Sequence, residues 1–224
     1  MTRHLRGIAA FGLGRSGVVC VHDIGQRSGD PGTPERPECY GRPHPPSRRF
    51  RARDLLLQGG ASTPLGPATT MPVGATYFTS VTPTECNAAL LFKGSPRSAD
   101  HAESSYQVDG QALYAESIDN YDKKLNPHDV VRKSFGAVSK CHDDAVGHSP
   151  QGDFRPMPMH LSLFTITSDR VLVWTMTRSD WTCDYGLVAL ARTVLLASAY
   201  DAESGFPMAD WASKRPAQLD SRTT

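Results

Sequence analysis

The chain of 224 residues is 39% hydrophobic, carries 17 prolines and 19 glycines, and has a formal net charge of +1. That apolar content suffices for one core, while the Pro and Gly content points to long irregular stretches. No segment approaches the roughly 18 uninterrupted apolar residues that mark a spanning helix, so no transmembrane helix is expected.

The charge is unevenly placed. Residues 1–53 hold ten Arg against four acidic residues (net +6), which leaves 14 basic against 19 acidic in 54–224 (net −5). Arg3 and Arg6 precede IAAFGLG in the outline of a signal peptide, but Arg15 cuts the apolar run short and no small cleavage-site residues follow. GVVC, ending at Cys20, has Gly17 where a lipoprotein box wants Leu or Val. SRRFRARDLLL resembles a twin-arginine signal with only three leucines behind the charges. Residues 1–53 therefore read as a disordered, basic Pro/Gly/Arg-rich tail or linker, carrying a degenerate export signal or following a misplaced start. GLGRSG (12–17) fits the dinucleotide fingerprint, but no helix follows to receive a pyrophosphate. RPHPPSRRFRAR could meet phosphates, yet it has one aromatic and no nucleic-acid fold beside it.

Order is expected from about Leu55, with residues 54–224 as one domain. MPVGATYFTSV (71–81) alternates as a strand. In TPTECNAALLF, Thr82 reads as an N-cap, Pro83 as the first helical residue and Glu85 as the other half of a capping box. SSYQVDGQALYAESI gives two strands about Asp109-Gly110, a dipeptide suited to a type I′ turn. Asn126 and Pro127 open a second helix, whose Val131, Phe135 and Val138, followed by Cys141, recur on one face. HLSLFTIT, VLVWTMT, TCDYGLVALA and TVLLASAY follow, joined by turns too short for crossover helices, so they form an antiparallel meander. FPMADWASKR (206–215) closes the chain as a helix, with Pro216 at or near its end. The fold class is α+β, a single antiparallel-rich sheet with helices packed on it.

Few residues suggest chemistry. GHSPQG (147–152) is out of register for a nucleophile elbow. CHDDAVGH (141–148) lacks the paired spacing of a metal site, and nothing calls for a metal or cofactor. Cys86 opens the first helix and Cys141 ends the second. They would bridge if both helices lie on one sheet face, and are otherwise two buried thiols. Trp181, Cys183 and Tyr185 share one face of a strand, as do Leu172, Trp174 and Met176 on the strand before it. Set opposite each other they build an aromatic wall, which is either core or the lining of an apolar cleft. Cys183 has no flanking histidine, which favours packing or a disulfide over catalysis.

PTEC, F-x-x-V-x-x-C and a hairpin leading to W-x-C together resemble the PknH-like sensor-domain family, the extracellular domains of a mycobacterial receptor kinase and stand-alone envelope proteins. The resemblance covers about residues 54–220. It implies a sheet with helices around a central cleft, two disulfides, an extracellular or envelope location, and a small-molecule or protein ligand of unknown identity. Carried over, Cys86 and Cys141 match the first disulfide. Cys183 matches half of the second, whose partner position holds Tyr200, so Cys183 stands unpaired or pairs with Cys20 or Cys39. Trp174, Trp181 and Tyr185 are the candidate cleft lining. The chain then reads as a non-catalytic sensor-like protein. The alternatives are a small hydrolase using His142, His148 and Ser149, and a cytosolic interaction module with a nucleic-acid-binding tail.

Overall fold

The computed structural model describes residues 50–72, 78, 80–90, 97–108, 112–148, 158–202 and 205–223. A compact unit starts at Phe50, and Ala52 and Leu55, buried in the one-turn helix α1 (Ala52–Leu55), already belong to its core. A small hairpin, β1 (Ser62–Thr63) and β2 (Gly66–Pro67), follows, then the short strands β3 (Thr69–Met71) and β4 (Ser80–Thr82). A 3-10 turn (Thr84–Cys86) leads into α2 (Asn87–Leu90). The long hairpin β5 (Asp100–Val108) and β6 (Ala112–Asn120) comes next, then α3 (Pro127–Val138) and β7 (Ala145–His148). The meander β8 (Pro158–Ser168), β9 (Val171–Arg178), β10 (Trp181–Ala189) and β11 (Thr193–Asp201) ends in α4 (Met208–Thr223).

Nine strands form one antiparallel sheet in the order β3-β5-β6-β11-β10-β9-β8-β7-β4. The fold is thus α+β, as the alternation of short-turned strands and scattered helices implies. The meander sits beside the β5–β6 hairpin because β11 pairs with β6, Thr193 opposite Asn120 and Tyr200 opposite Leu113. Side chains alternate between two cores. Val171 and Val173 join one face with α1 and α4; Leu172 and Trp174 join the other with α2 and α3. Gly186 permits the close approach of α4: a Cβ there would stand 2.8 Å from Met208 Sδ and 3.1 Å from Ala212 Cβ.

Two helix boundaries differ from the sequence reading. Thr82 pairs with Val146 in the sheet, so it extends β4 and cannot cap a helix. The Thr82–Pro83 bond is cis, helical turns begin only at Thr84, and no side-chain cap forms. Pro216 does not end the last helix, which runs on to Thr223. A proline there forfeits one backbone hydrogen bond, but Arg215 and Leu219 on either side of it are buried and hold the helix to the sheet. β7 falls in a stretch read from sequence as loop. Most of the strand read over 71–81, and the Asp109-Gly110 turn, lie outside the described residues.

Under α4 lies a buried ion pair. Glu116 and Arg215 have side chains 0% and 1% exposed, with Arg215 Nη2 2.9 Å from the carboxylate. The same carboxylate accepts from Tyr114 Oη at 2.7 Å and from the Leu57 amide at 2.8 Å. Trp211 Nε1 donates to Tyr114 Oη at 2.8 Å, and the Arg215 guanidinium lies 6.0 Å from the Trp211 ring centroid. Burial, reinforced by the Glu116 charge, pushes the Tyr114 phenol well above its ordinary value, so it stays a donor. Such a pair need not stabilise more than apolar residues would, but orphaning one charge is costly. Arg215→Met should lower unfolding free energy by about 3–5 kcal/mol in urea titrations. Adding Glu116→Leu should recover most of that loss.

Candidate ligand-binding groove

The helices do not cover the sheet evenly. On the face that carries α2 and α3, α3 packs over β8, β9 and β10, and an open groove of about 840 Å³ lies beside it. Its floor is a row of side chains crossing three strands: Ser117 on β6 stands opposite Leu196 on β11, which stands opposite Leu187 on β10. Asp119 and Val194 form the next row. One wall is α3, through Val130, Lys133 and Ser134, positions three and four residues apart that share a helix face. The other is the chain entering β5, residues 97–99.

The end of the groove is fixed by backbone pairing. The Tyr121 amide donates to the Arg192 carbonyl at 2.8 Å, and the Leu125 amide to Ala191 at 2.7 Å. Arg192 Nη1 also donates to the Asp122 carbonyl. Thr193 Oγ1 and Asn120 Oδ1 are 2.8 Å apart, and the Ala99 amide donates to the Asn120 carbonyl at 2.7 Å. The loop with Lys123, which lines the groove, is thereby held to the β10–β11 turn.

The groove mixes an apolar floor with a charged rim. Leu187, Val194 and Leu196 line it and are half-buried although they lie well inside the sheet. Arg97, Lys123 and Lys133 supply cations, Asp119 and Asp122 carboxylates. His101, across from Asp119 in register, places Nδ1 3.0 Å from its Oδ1. Ser117, on the floor, is 2% exposed.

The residues singled out from sequence lie mostly elsewhere. Trp174 and Tyr185 stand opposite each other in register and stack at 5.1 Å, with 7° between ring planes. Both are buried. Trp174 Nε1 donates to the Ala89 carbonyl at 2.8 Å and Tyr185 Oη to Leu90 at 3.3 Å, so the pair seats α2 on the sheet. Trp181 is half-buried, opposite Arg178. None of the three lines the groove beside α3. Cys86 and Cys141 are joined in a disulfide that ties the start of α2 to the chain leaving α3. Cys183 is free and buried, with Tyr200 directly across from it; Cys20 and Cys39 lie outside the described residues. Tyr200 packs edge-on to Tyr185 at 6.0 Å, and burial pushes the Cys183 thiol well above its ordinary value, so it is held as the unreactive thiol.

His142 and His148 are both exposed; His148 Nε2 is 3.3 Å from Thr82 Oγ1. Ser149 lies outside the described residues. Among the described residues no group of three His, Cys, Asp or Glu could hold a metal ion, and no helix is long and apolar enough to cross a membrane. The groove residues Ser117, Leu187, Leu196 and Lys133 went unnoticed in the sequence, where each is an ordinary strand or helix residue. The remaining signal was Lys133-Ser134, two polar residues beside the apolar face of α3.

Comparison with known proteins agrees with this architecture. No family model matches the chain. It is 56% identical over 176 residues to proteins named "Putative lipoprotein LprH" from Mycobacterium bovis and Mycobacterium tuberculosis, covering 77% of this chain and 76% of theirs. The crystal structure of the extracellular domain of PknH from Mycobacterium tuberculosis superposes with a TM-score of 0.51 at 12% identity, over 77% of this chain and 94% of that one. At that identity the likeness is one of fold.

Two outcomes test the cysteine chemistry. Cys86→Ser opens a 55-residue separation and should cost up to about 4 kcal/mol of stability by chain entropy, read by chemical denaturation. Iodoacetamide labelling at pH 8 followed by peptide mapping should leave Cys183 unmodified in the native protein and modify it in urea.

Proposed function

The chain belongs to the family of the mycobacterial LprH proteins, and on that premise we propose that it is a non-catalytic, sensor-like protein of the cell envelope. Its task is to bind a small molecule in the groove beside α3. The envelope location is supported by the lipoprotein name of its relatives and by a fold like that of the extracellular domain of PknH. Ligand binding rests on one observation, the open groove of about 840 Å³ whose floor keeps Leu187, Val194 and Leu196 partly exposed. Wetted apolar residues at the centre of a sheet are unfavourable unless something covers them. The volume lies within the range of small-molecule sites, and a few polar groups surround an apolar floor, as such sites require.

Hydrogen–deuterium exchange, run with and without small-molecule extract of the host envelope, tests this reading. Extract should slow exchange in residues 97–99 and 121–125, the groove's rim. Leu196→Trp, which fills the floor, should abolish the protection while leaving the melting temperature within a few degrees of the parent. Protection that persists in Leu196→Trp, or none with any extract fraction, would overturn the reading.

A further inference from the structure

We infer that the ligand of this groove is an amphipathic anion, a molecule with an aliphatic body and a carboxylate or phosphate head. The inference rests on the groove being a binding site, and adds the chemistry of its occupant. Leu187, Val194 and Leu196 provide a surface with hydrogen-bonding groups only at its margins, which suits methylenes and penalises a polar body. The rim carries more cations than anions: Arg97, Lys123 and Lys133 against Asp119 and Asp122. Asp119 is already engaged by His101, whereas neither Lys123 nor Lys133 forms an ion pair among the described residues.

Two further features favour an anionic head. The Ser117 hydroxyl lines the floor, where it can donate to an oxygen of the ligand. Lys133 on α3 and Lys123 on the loop pinned to the β10–β11 turn both line the groove, one at its wall and one at its end. Charge-assisted hydrogen bonds from lysine are about twice as strong as neutral ones. A cationic head would meet the same two lysines and be repelled.

Calorimetric titration of the full chain with chains of one length and different heads tests this. Dodecanoate and dodecyl phosphate, below their micellar concentrations, are the anionic probes; dodecyltrimethylammonium and dodecanol are the cationic and neutral ones. Dodecanoate or dodecyl phosphate should bind at least tenfold more tightly than either of the other two, and the ratio of the two anions tells a carboxylate from a phosphate ligand. The double substitution Lys123→Gln with Lys133→Gln, on exposed side chains that leave the core intact, should remove that preference and leave dodecanol unaffected. Equal binding of all heads would overturn the anion assignment while leaving the groove as a binding site. Failure of both anions to bind would also overturn it, and the extract experiment with Leu196→Trp decides separately whether the groove binds anything.

Discussion

The Glu116 carboxylate is the point at which three parts of the chain are tied together. It sits on β6, accepts the Leu57 amide from the segment after α1, and is neutralised by Arg215 from α4. The three are far apart in sequence and converge only if α1 and α4 share one face of the sheet. A charge with no water around it tolerates few alternative arrangements, so the pair selects one packing rather than adding much net stability. Tyr114 and Trp211 extend the restraint by hydrogen bonding to each other and to the carboxylate. Gly186 lets α4 come close enough for all of this.

The opposite face is built on different physics. There the Trp174–Tyr185 stack offers an indole N–H and a phenol to the carbonyls at the end of α2, and the Cys86–Cys141 disulfide links α2 with the chain beyond α3. These restraints hold α2 and α3 over β8, β9 and β10 and leave the floor formed by β6, β11 and part of β10 open. Among the described residues, the helices on this face leave that part of the nine-stranded sheet as a groove. One face is filled and locked, and the other is only partly filled.

Cys183 is held in the core by packing. The register puts Tyr200 across the β10–β11 ladder from it. The Tyr200 ring fills the space beside Tyr185, and the thiol packs as a small apolar group. Packing there depends on burial rather than on a covalent link.

The sequence by itself determined the local elements. Alternation of apolar residues marked the four meander strands, the Asn126-Pro127 start marked α3, and short turns made the strands antiparallel, because these signals depend on neighbours in the chain. It also set Trp174 and Tyr185 on one face, since side chains alternate along a strand. Only the tertiary structure decided the rest. Thr82 became a strand residue because Val146, distant in sequence, pairs with it. α4 passes through Pro216 because burial of Arg215 and Leu219 outweighs one lost hydrogen bond. Nothing local marks Glu116 and Arg215 as a buried pair; the sheet brings them together. A cleft was implied by the resemblance, but the residues that line the groove were not legible as a site. Ser117, Leu196 and Leu187 become neighbours only through the pairing of β6 with β11 and of β11 with β10, and no local pattern encodes which strands will be adjacent or which part of their surface will be left uncovered.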